Sequence, residues 1–228
     1  MNFRLVLLIF LVVLFAGGTG YLSYSQSTGL PLKEAYDNGN VLITQNTSAG
    51  TVPHQVVVVN NGRDPIKVQV GDVLTANSSQ DLVVAENKTV STNSSETIYA
   101  YCLDPSTQAV VGSKLKANGT ASNAIKQVID GSNIHDLNNA TNAQLELWIL
   151  TAGVNFNIYS GEPVALVNTQ KITYTTLKQM VTNAKSNLAS QFNVKVDNIK
   201  NINQNSTQSS DGTLKGVYHW FKSMIGMG

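Results

Sequence analysis

The chain has 228 residues, with 15 basic and 14 acidic side chains, a formal net charge of +1 and one cysteine, Cys102. Its only arginines are Arg4 and Arg63, so it offers no basic stripe for a phosphate backbone, and nucleic acid is excluded as the expected partner. A single cysteine also excludes a disulfide within the chain, so its role has to be sought elsewhere.

The first segment is typical of an export signal. Arg4 precedes an apolar run over residues 5–16, and small residues follow at 17–20. Continued to residue 22, the run approaches the about 17 to 20 residues that a transmembrane helix needs. Residues 1–22 therefore predict either a cleaved signal peptide or a retained membrane anchor, and the protein is expected outside the cell or at its surface. The polar residues 23–40 are expected to form a linker.

Residues 41–104 carry the pattern of β-strands. Short β-branched runs such as QVVVVN and IKVQV are separated by turn residues, for example Asn60-Asn61-Gly62 and Asp64-Pro65. Runs of this length at roughly ten-residue spacing indicate an antiparallel sandwich or barrel. We expect a β-sandwich of about six or seven strands.

After Asp104-Pro105 the apolar residues take the period of helices. Three helices are predicted, within SNAIKQVID, within TNAQLELWILTAG and over residues 175–192. NFNIY and VALVN predict a small hairpin between the second and third helices, and FNVKVDNI predicts a last strand. Residues 105–202 are thus expected to form a helical subdomain with small strands, and residues 203–228 a linker with an amphipathic tail.

The predicted fold class is therefore α+β. An antiparallel β-sandwich carries a packed helical subdomain and is preceded by an N-terminal signal or anchor helix. Seven N-x-S/T acceptors accompany this exported fold and are candidates for glycosylation of its exterior. They begin at Asn46, Asn77, Asn87, Asn93, Asn118, Asn139 and Asn205.

Neither a metal site nor a phosphate loop is expected. The three histidines, His54, His135 and His219, lie far apart in the sequence without ligand-spaced partners, and each is predicted to lie at the surface. Glycine-rich phosphate-binding motifs are absent from the sequence. We expect no cofactor.

Cys102 has three ordinary interpretations. It could be a small buried core residue, since free cysteine is among the most buried residue types. It could pair with another chain, as an odd cysteine in an exported protein can indicate. It could also be the nucleophile of a hydrolase, with His135 as base and Asp136 as the residue that orients it, although no helix begins behind it to lower its pKa.

A fourth interpretation joins Cys102 to a glutamine. Gln144 lies near the start of a predicted helix, and Trp148 projects from the same face four residues later. A buried carboxamide without partners costs about 1 to 3 kcal/mol. Attack of the Cys102 thiol on the Gln144 carboxamide would release ammonia and form a thioester, which aromatic neighbours would shelter from water.

These residues resemble a known family, the thioester domains of Gram-positive surface adhesins, also called TQXA domains. The family's cysteine lies in an aromatic-Cys-aliphatic-polar motif, which Tyr101-Cys102-Leu103-Asp104 matches. Its glutamine lies on a helix with an aromatic residue four positions later, which Gln144 and Trp148 match. The resemblance implies a β-rich part that carries the cysteine, a helical part that carries the glutamine, and Tyr101 and Trp148 as shielding aromatic residues.

The expected function is adhesion or surface interaction. In the thioester interpretation an amine of a surface protein or glycan ligand attacks the thioester carbonyl, and the partner stays joined by an amide. Each molecule reacts once, so we do not expect an enzyme. The alternative is an extracellular structural or binding module that acts without a covalent bond and has a buried, unreactive cysteine. Residues 5–22 would add a membrane contact if they are retained.

Overall fold

The structure is a computed structural model, and residues 29–202 are described. The described residues contain nine strands: β1 (Leu30–Pro31), β2 (Val41–Gln45), β3 (His54–Asn60), β4 (Ile66–Val68), β5 (Asp72–Thr75), β6 (Leu82–Val84), β7 (Lys88–Val90), β8 (Ser95–Cys102) and β9 (Lys114–Thr120). Their helices are α1 (Leu32–Asp37), α2 (Asn123–Asp130), α3 (Leu137–Ala152), α4 (Gly161–Gln170), α5 (Tyr174–Gln191) and a 3-10 helix over Val196–Asn201.

Six of the strands close into a barrel, in the order β2-β3-β8-β6-β5-β9. All six pairings in this barrel are antiparallel. The predicted β-sandwich is therefore wrong. β1, β4 and β7 form a separate small sheet, in which β1 runs parallel to β4.

The strand that closes the barrel is β9, which the sequence did not predict. It pairs with β2 on one side and β5 on the other, and Leu115 and Ala117 point to its buried face. Only two apolar residues alternate with polar ones in KLKANGT, so the two-residue period is weak. Without β9, β2 and β5 would each have an unpaired edge, so this strand is needed to close the barrel.

Three segments beyond residue 150 also differ from the predicted strands. NFNIY forms turns and no strand. VALVN lies in α4, because Ser160-Gly161 turns the chain and Pro163 fits in the first turn of a helix. The last four residues of FNVKVDNI, 196–199, lie in the 3-10 helix over Val196–Asn201 and not in a strand. The segment at 29–40, expected as linker, contains β1 and α1, and Leu32 and Ala35 of α1 are buried in the core.

The predicted helices begin at side-chain caps. Ser122 Oγ accepts from the Ile125 N–H before α2, and Asp136 accepts from the Asn139 N–H before α3. The cap of α3 lies five residues before Thr141, where the sequence indicated a start. The helix at 175–192 corresponds to α5, whose Leu177, Val181, Ala184 and Leu188 are buried.

Within residues 29–202, no helix combines the length and hydropathy that a membrane span requires. The predicted signal or anchor over residues 1–22 and the amphipathic tail over residues 203–228 lie outside the described residues.

Candidate functional site

The candidate site lies at one end of the barrel. β8 ends there at Cys102 and β3 begins there at His54, because the two strands are antiparallel and His54 pairs with Ala100. β6 begins at the same end, where Leu82 pairs with Cys102. The loops that leave this end contain residues 46–53, 76–81 and 103–113.

Cys102 points into the barrel. Side chains alternate along a strand, so Cys102 shares the inner face of β8 with Ile98 and Ala100, which are fully buried. The thiol is itself fully buried, and it donates a hydrogen bond to the Asp104 carbonyl at 3.1 Å. Tyr101 lies on the opposite face, where its hydroxyl is 3.1 Å from Ser132 Oγ. Tyr101 therefore covers the outer side of the strand and does not face the sulfur.

The carboxamide of Gln144 pairs with the backbone of Cys102. The Cys102 N–H donates to Gln144 Oε1 at 2.8 Å, and Gln144 Nε2 donates to the Cys102 carbonyl at 2.7 Å. Both distances are those of good hydrogen bonds. Gln144 is fully buried, so α3 is joined to β8 by two hydrogen bonds that are shielded from water.

The position of Gln144 follows from where β3 begins. Tyr99 of β8 and Leu103, the residue after β8, bond to Ala85 and Asp81 at the two ends of β6. Because backbone groups alternate in direction along a strand, Cys102 turns its N–H and carbonyl towards β3. β3 begins opposite Ala100 and provides no strand partner for Cys102. The Gln144 carboxamide takes that place, which explains why a glutamine faces inward here.

Trp148 lies on the same face of α3 and is almost fully buried. Its indole ring makes an edge contact with Phe156, with 5.7 Å between the ring centroids. The indole N–H has no hydrogen-bond acceptor of good geometry, although it interacts weakly with the Cys102 sulfur. Buried indole N–H groups usually have a hydrogen-bond partner, whereas this one has only its interaction with the Cys102 sulfur.

Burial raises the pKa of the Cys102 thiol well above its ordinary value. The indole N–H of Trp148 opposes this rise, whereas the negative charge of Glu162 adds to it. The thiol is therefore protonated at neutral pH. Any reaction of the sulfur as a nucleophile needs a nearby group that takes its proton.

The hydrolase interpretation has no support in the structure. His135 is exposed and packs against Tyr99, with 5.5 Å between the ring centroids. Tyr99 is on the outer face of β8, whereas Cys102 is on the inner face. Asp136 is occupied as the cap of α3. These three residues do not form a nucleophile-base pair with the buried thiol.

Among residues 29–202, the histidine at this end of the barrel is His54, which the sequence predicted at the surface. It is buried, and its Nε2 is 3.0 Å from Oε1 of the equally buried Glu162 at the start of α4. On the other side of the ring, Nδ1 is 3.1 Å from Thr47 Oγ1. His54 shares its strand face with Val56 and Val58, and this two-residue spacing is the signal that could have indicated burial.

Three buried oxygen atoms around His54 lack a hydrogen bond of good geometry, although one of them lies 3.0 Å from His54 Nε2. They are Gln45 Oε1, Gln80 Oε1 and Glu162 Oε1. Gln80 Nε2 is 2.7 Å from His54 Nε2, and Gln45 Nε2 is 3.4 Å from His54 Nδ1. The cluster of His54, Glu162, Gln45 and Gln80 thus holds three acceptor atoms that its hydrogens do not reach with good geometry. Buried polar groups without partners are uncommon and often mark sites with a chemical role.

Glu162 also ties down the segments that cover this end of the barrel. Its Oε2 accepts from the Gly50 N–H at 3.0 Å, and its own N–H donates to the Pro105 carbonyl at 2.9 Å. Gly50 and Gly161 each have positive φ, and a Cβ on either one would lie within 2.4 Å of backbone atoms of the facing segment. The loops over residues 46–53 and 103–113, which cover this end of the barrel, are therefore closely packed against α4.

The other predicted sites lie elsewhere. The described glycosylation acceptors, from Asn46 to Asn139, are all exposed, and Asn205 lies outside the described residues. Among residues 29–202, no group of three or more His, Cys, Asp or Glu side chains is arranged to hold a metal ion.

Comparisons of the chain with protein-family models, with curated proteins and with solved structures found no match. The site is therefore interpreted from its own geometry.

Proposed function

We propose that the protein is an exported surface-interaction protein that binds its partner covalently through a thioester between Cys102 and Gln144. One observation carries this proposal: a buried thiol and a buried carboxamide belong to residues that are hydrogen-bonded to each other in a water-excluded site. Holding two reacting groups together in this way removes much of the entropic barrier to their reaction.

The hydrogen bonds also suit the chemistry. When sulfur attacks the Gln144 side-chain carbonyl carbon, Oε1 gains negative charge. The Cys102 N–H already donates to that oxygen at 2.8 Å, as an oxyanion-stabilising donor should. The sulfur–carbon bond forms, the carbon–nitrogen bond breaks, and the thiol proton leaves with the nitrogen as ammonia.

Capture of a partner would be a second exchange at the same carbonyl carbon, in which an amine replaces the sulfur. A primary amine of the partner attacks the thioester carbonyl, the new amide forms, and the sulfur leaves and regains a proton as the Cys102 thiol. The amide joins the partner to Gln144. Both groups are fully buried. The loops over this end of the barrel, residues 46–53 and 103–113, therefore have to open before a lysine side chain can reach them.

A second function has one observation in its favour. Both polar atoms of the Gln144 carboxamide are hydrogen-bonded without any reaction, so the need to consume an unpaired amide, which motivated the thioester on sequence grounds, does not arise. In a binding module without a covalent bond, the same residues would only fix α3 to β8.

The amine reaction separates the two functions. We expect incubation with methylamine to add one methylamide to Gln144 and to free the Cys102 thiol, as located by mass spectrometry of proteolytic peptides. Cys102→Ala should abolish the adduct, because it leaves Gln144 an ordinary carboxamide. Recovery of unmodified Gln144 from the wild-type protein, or equal labelling of the variant, would contradict the covalent function.

A further inference from the structure

We propose that the His54–Glu162 pair takes the proton of the Cys102 thiol as the thioester closes and returns it to the leaving ammonia. The inference rests on the proposed function, because it assigns residues to the closing of the same bond. It gives a role to His54 and Glu162, two buried residues that take no part in the hydrogen bonds of Cys102 and Gln144.

The reaction needs a proton acceptor inside the site. A thiol is a weak nucleophile until it loses its proton, and here burial keeps the proton on the sulfur. Water cannot take the proton, because Cys102, Gln144 and Trp148 are closed off from solvent. The acceptor must therefore be a buried group of the protein.

His54 and Glu162 are placed to be that group. His54 faces Ala100 across the strand pair, so Cys102 is its diagonal neighbour on the inner face of the barrel. Cα atoms in this diagonal relation lie about 7 to 8 Å apart, within reach of long side chains. Glu162, 3.0 Å from His54, is close enough for its charge to act on the thiol.

The surrounding hydrogen bonds leave room for the extra proton. The oxygens of Gln45, Gln80 and Glu162 are buried acceptors that the cluster's hydrogens do not reach with good geometry. Thr47 Oγ1 accepts from the Gln55 N–H, so its own hydrogen can bond to His54 Nδ1. Gln80 can offer either its amide nitrogen or its oxygen to Nε2 as the proton arrives or departs.

The other acid near the thiol is less suited to this role. Asp104 also acts on Cys102 through its charge, but Oδ1 already accepts from the Ser106 N–H and hydroxyl, and Oδ2 accepts from the Thr107 hydroxyl. Its carboxylate lies among exposed residues. Glu162 Oε1, by contrast, is buried and has no partner with hydrogen-bond geometry.

The step balances within the site. The proton passes from Cys102 Sγ to the Glu162 carboxylate, and the sulfur lone pair forms the bond to the Gln144 carbonyl carbon. When the carbon–nitrogen bond breaks, the nitrogen takes that proton and leaves as ammonia. The pair returns to its starting state, and no oxidant or reductant is involved.

Closing can be timed on the folded protein. Concentrated ammonia opens the thioester and restores Gln144 and the thiol, and exchange into ammonia-free buffer then lets the bond close again. The loss of ammonia, followed by the mass of the full chain, gives the closing rate. We expect Glu162→Gln to close about 100-fold more slowly, the lower end of what general acid–base catalysis contributes. Glu162→Asp, which keeps a carboxylate, should recover part of the rate.

The pH profile distinguishes proton transfer from a structural role. In the wild type the closing rate should fall when the pH is lowered, because an acceptor that already carries a proton cannot take the one on the sulfur. Glu162→Gln should lack this fall. The matched control is Glu146→Gln, two residues after Gln144 on α3, because Glu146 is hydrogen-bonded to Asn187 of α5 instead. The control should close at the wild-type rate with the wild-type pH profile.

Two results would overturn the inference. One is a wild-type rate in Glu162→Gln, and the other is a slowing that is the same at every pH and is shared by Glu162→Asp. If the Glu162 variants do not fold, the closing rate of the wild type is compared in water and in D2O. Proton transfer during closing predicts a slower rate in D2O, and an unchanged rate would contradict the inference. If the wild-type protein never loses ammonia, the proposed function fails as well, and the two failures are thus distinguishable.

Discussion

Gln144→Ala should lower the free energy of unfolding by about 3 to 5 kcal/mol. Relative to the protein with an unreacted Gln144 carboxamide, the substitution leaves the buried N–H and carbonyl of Cys102 without partners, and each unpaired buried group costs about 1 to 3 kcal/mol. It also leaves a small cavity between α3 and β8. Chemical denaturation, followed by circular dichroism, measures the loss.

Two further variants serve as controls for this result. Asn142→Ala, on the same helix but partly exposed, should change the stability by no more than about 0.5 kcal/mol. Cys102→Ala cannot form the thioester, so Gln144 keeps its amide and both hydrogen bonds to the backbone of residue 102, and this variant is the reference in which the carboxamide is intact. A loss below about 1 kcal/mol in Gln144→Ala would show that the carboxamide does not hold α3 to the barrel.

Gly50→Ala should be the second strongly destabilising change, costing about 2 to 5 kcal/mol. A Cβ at residue 50 would lie 2.3 Å from the backbone carbonyl of Ala165 in α4, and backbone cannot yield as a flexible side chain can. The positive φ of 79° adds the strain of a left-handed alanine. Thermal or chemical unfolding measures the cost.

Gly112→Ala is the matched control for Gly50→Ala. Gly112 has nearly the same φ, 82°, but nothing lies within 4 Å of its added Cβ. It should lose only the about 1 to 2 kcal/mol that a left-handed residue costs. Equal losses in the two variants would mean that the loop at residue 50 is not packed closely against α4.

The barrel could not be predicted from local sequence patterns. The strands of residues 41–102 have clear β-branched runs, but whether they form a sandwich or a barrel depends on which distant strands pair. That choice is made by β9, whose two inward residues, Leu115 and Ala117, give little periodic signal. Closure is thus a consequence of long-range pairing with β2 and β5.

The start of α4 shows how tertiary contacts override propensity. VALVN is rich in β-branched residues and therefore favours a strand. In the fold, Glu162 is buried against His54, and its backbone N–H bonds to the loop after β8. These contacts begin a helix that local preference does not favour, and they were not visible in the sequence.

The two residues of the proposed thioester were easier to find than those around them. The i,i+4 spacing of Gln144 and Trp148 gave the buried face of α3, and Cys102 stood out as the single cysteine. His54 and Glu162 are 108 positions apart and have no local motif. Only the closed barrel brings them together beside the thiol.

The most direct test of the thioester is the mass difference between the wild-type protein and Cys102→Ala, produced side by side. The comparison does not depend on where the chain is processed, since both proteins share the same ends. We predict that the wild type is lighter, by one ammonia, than the substitution alone accounts for, and that the missing ammonia maps to Gln144. A difference equal to the change of side chain alone would show that no thioester forms.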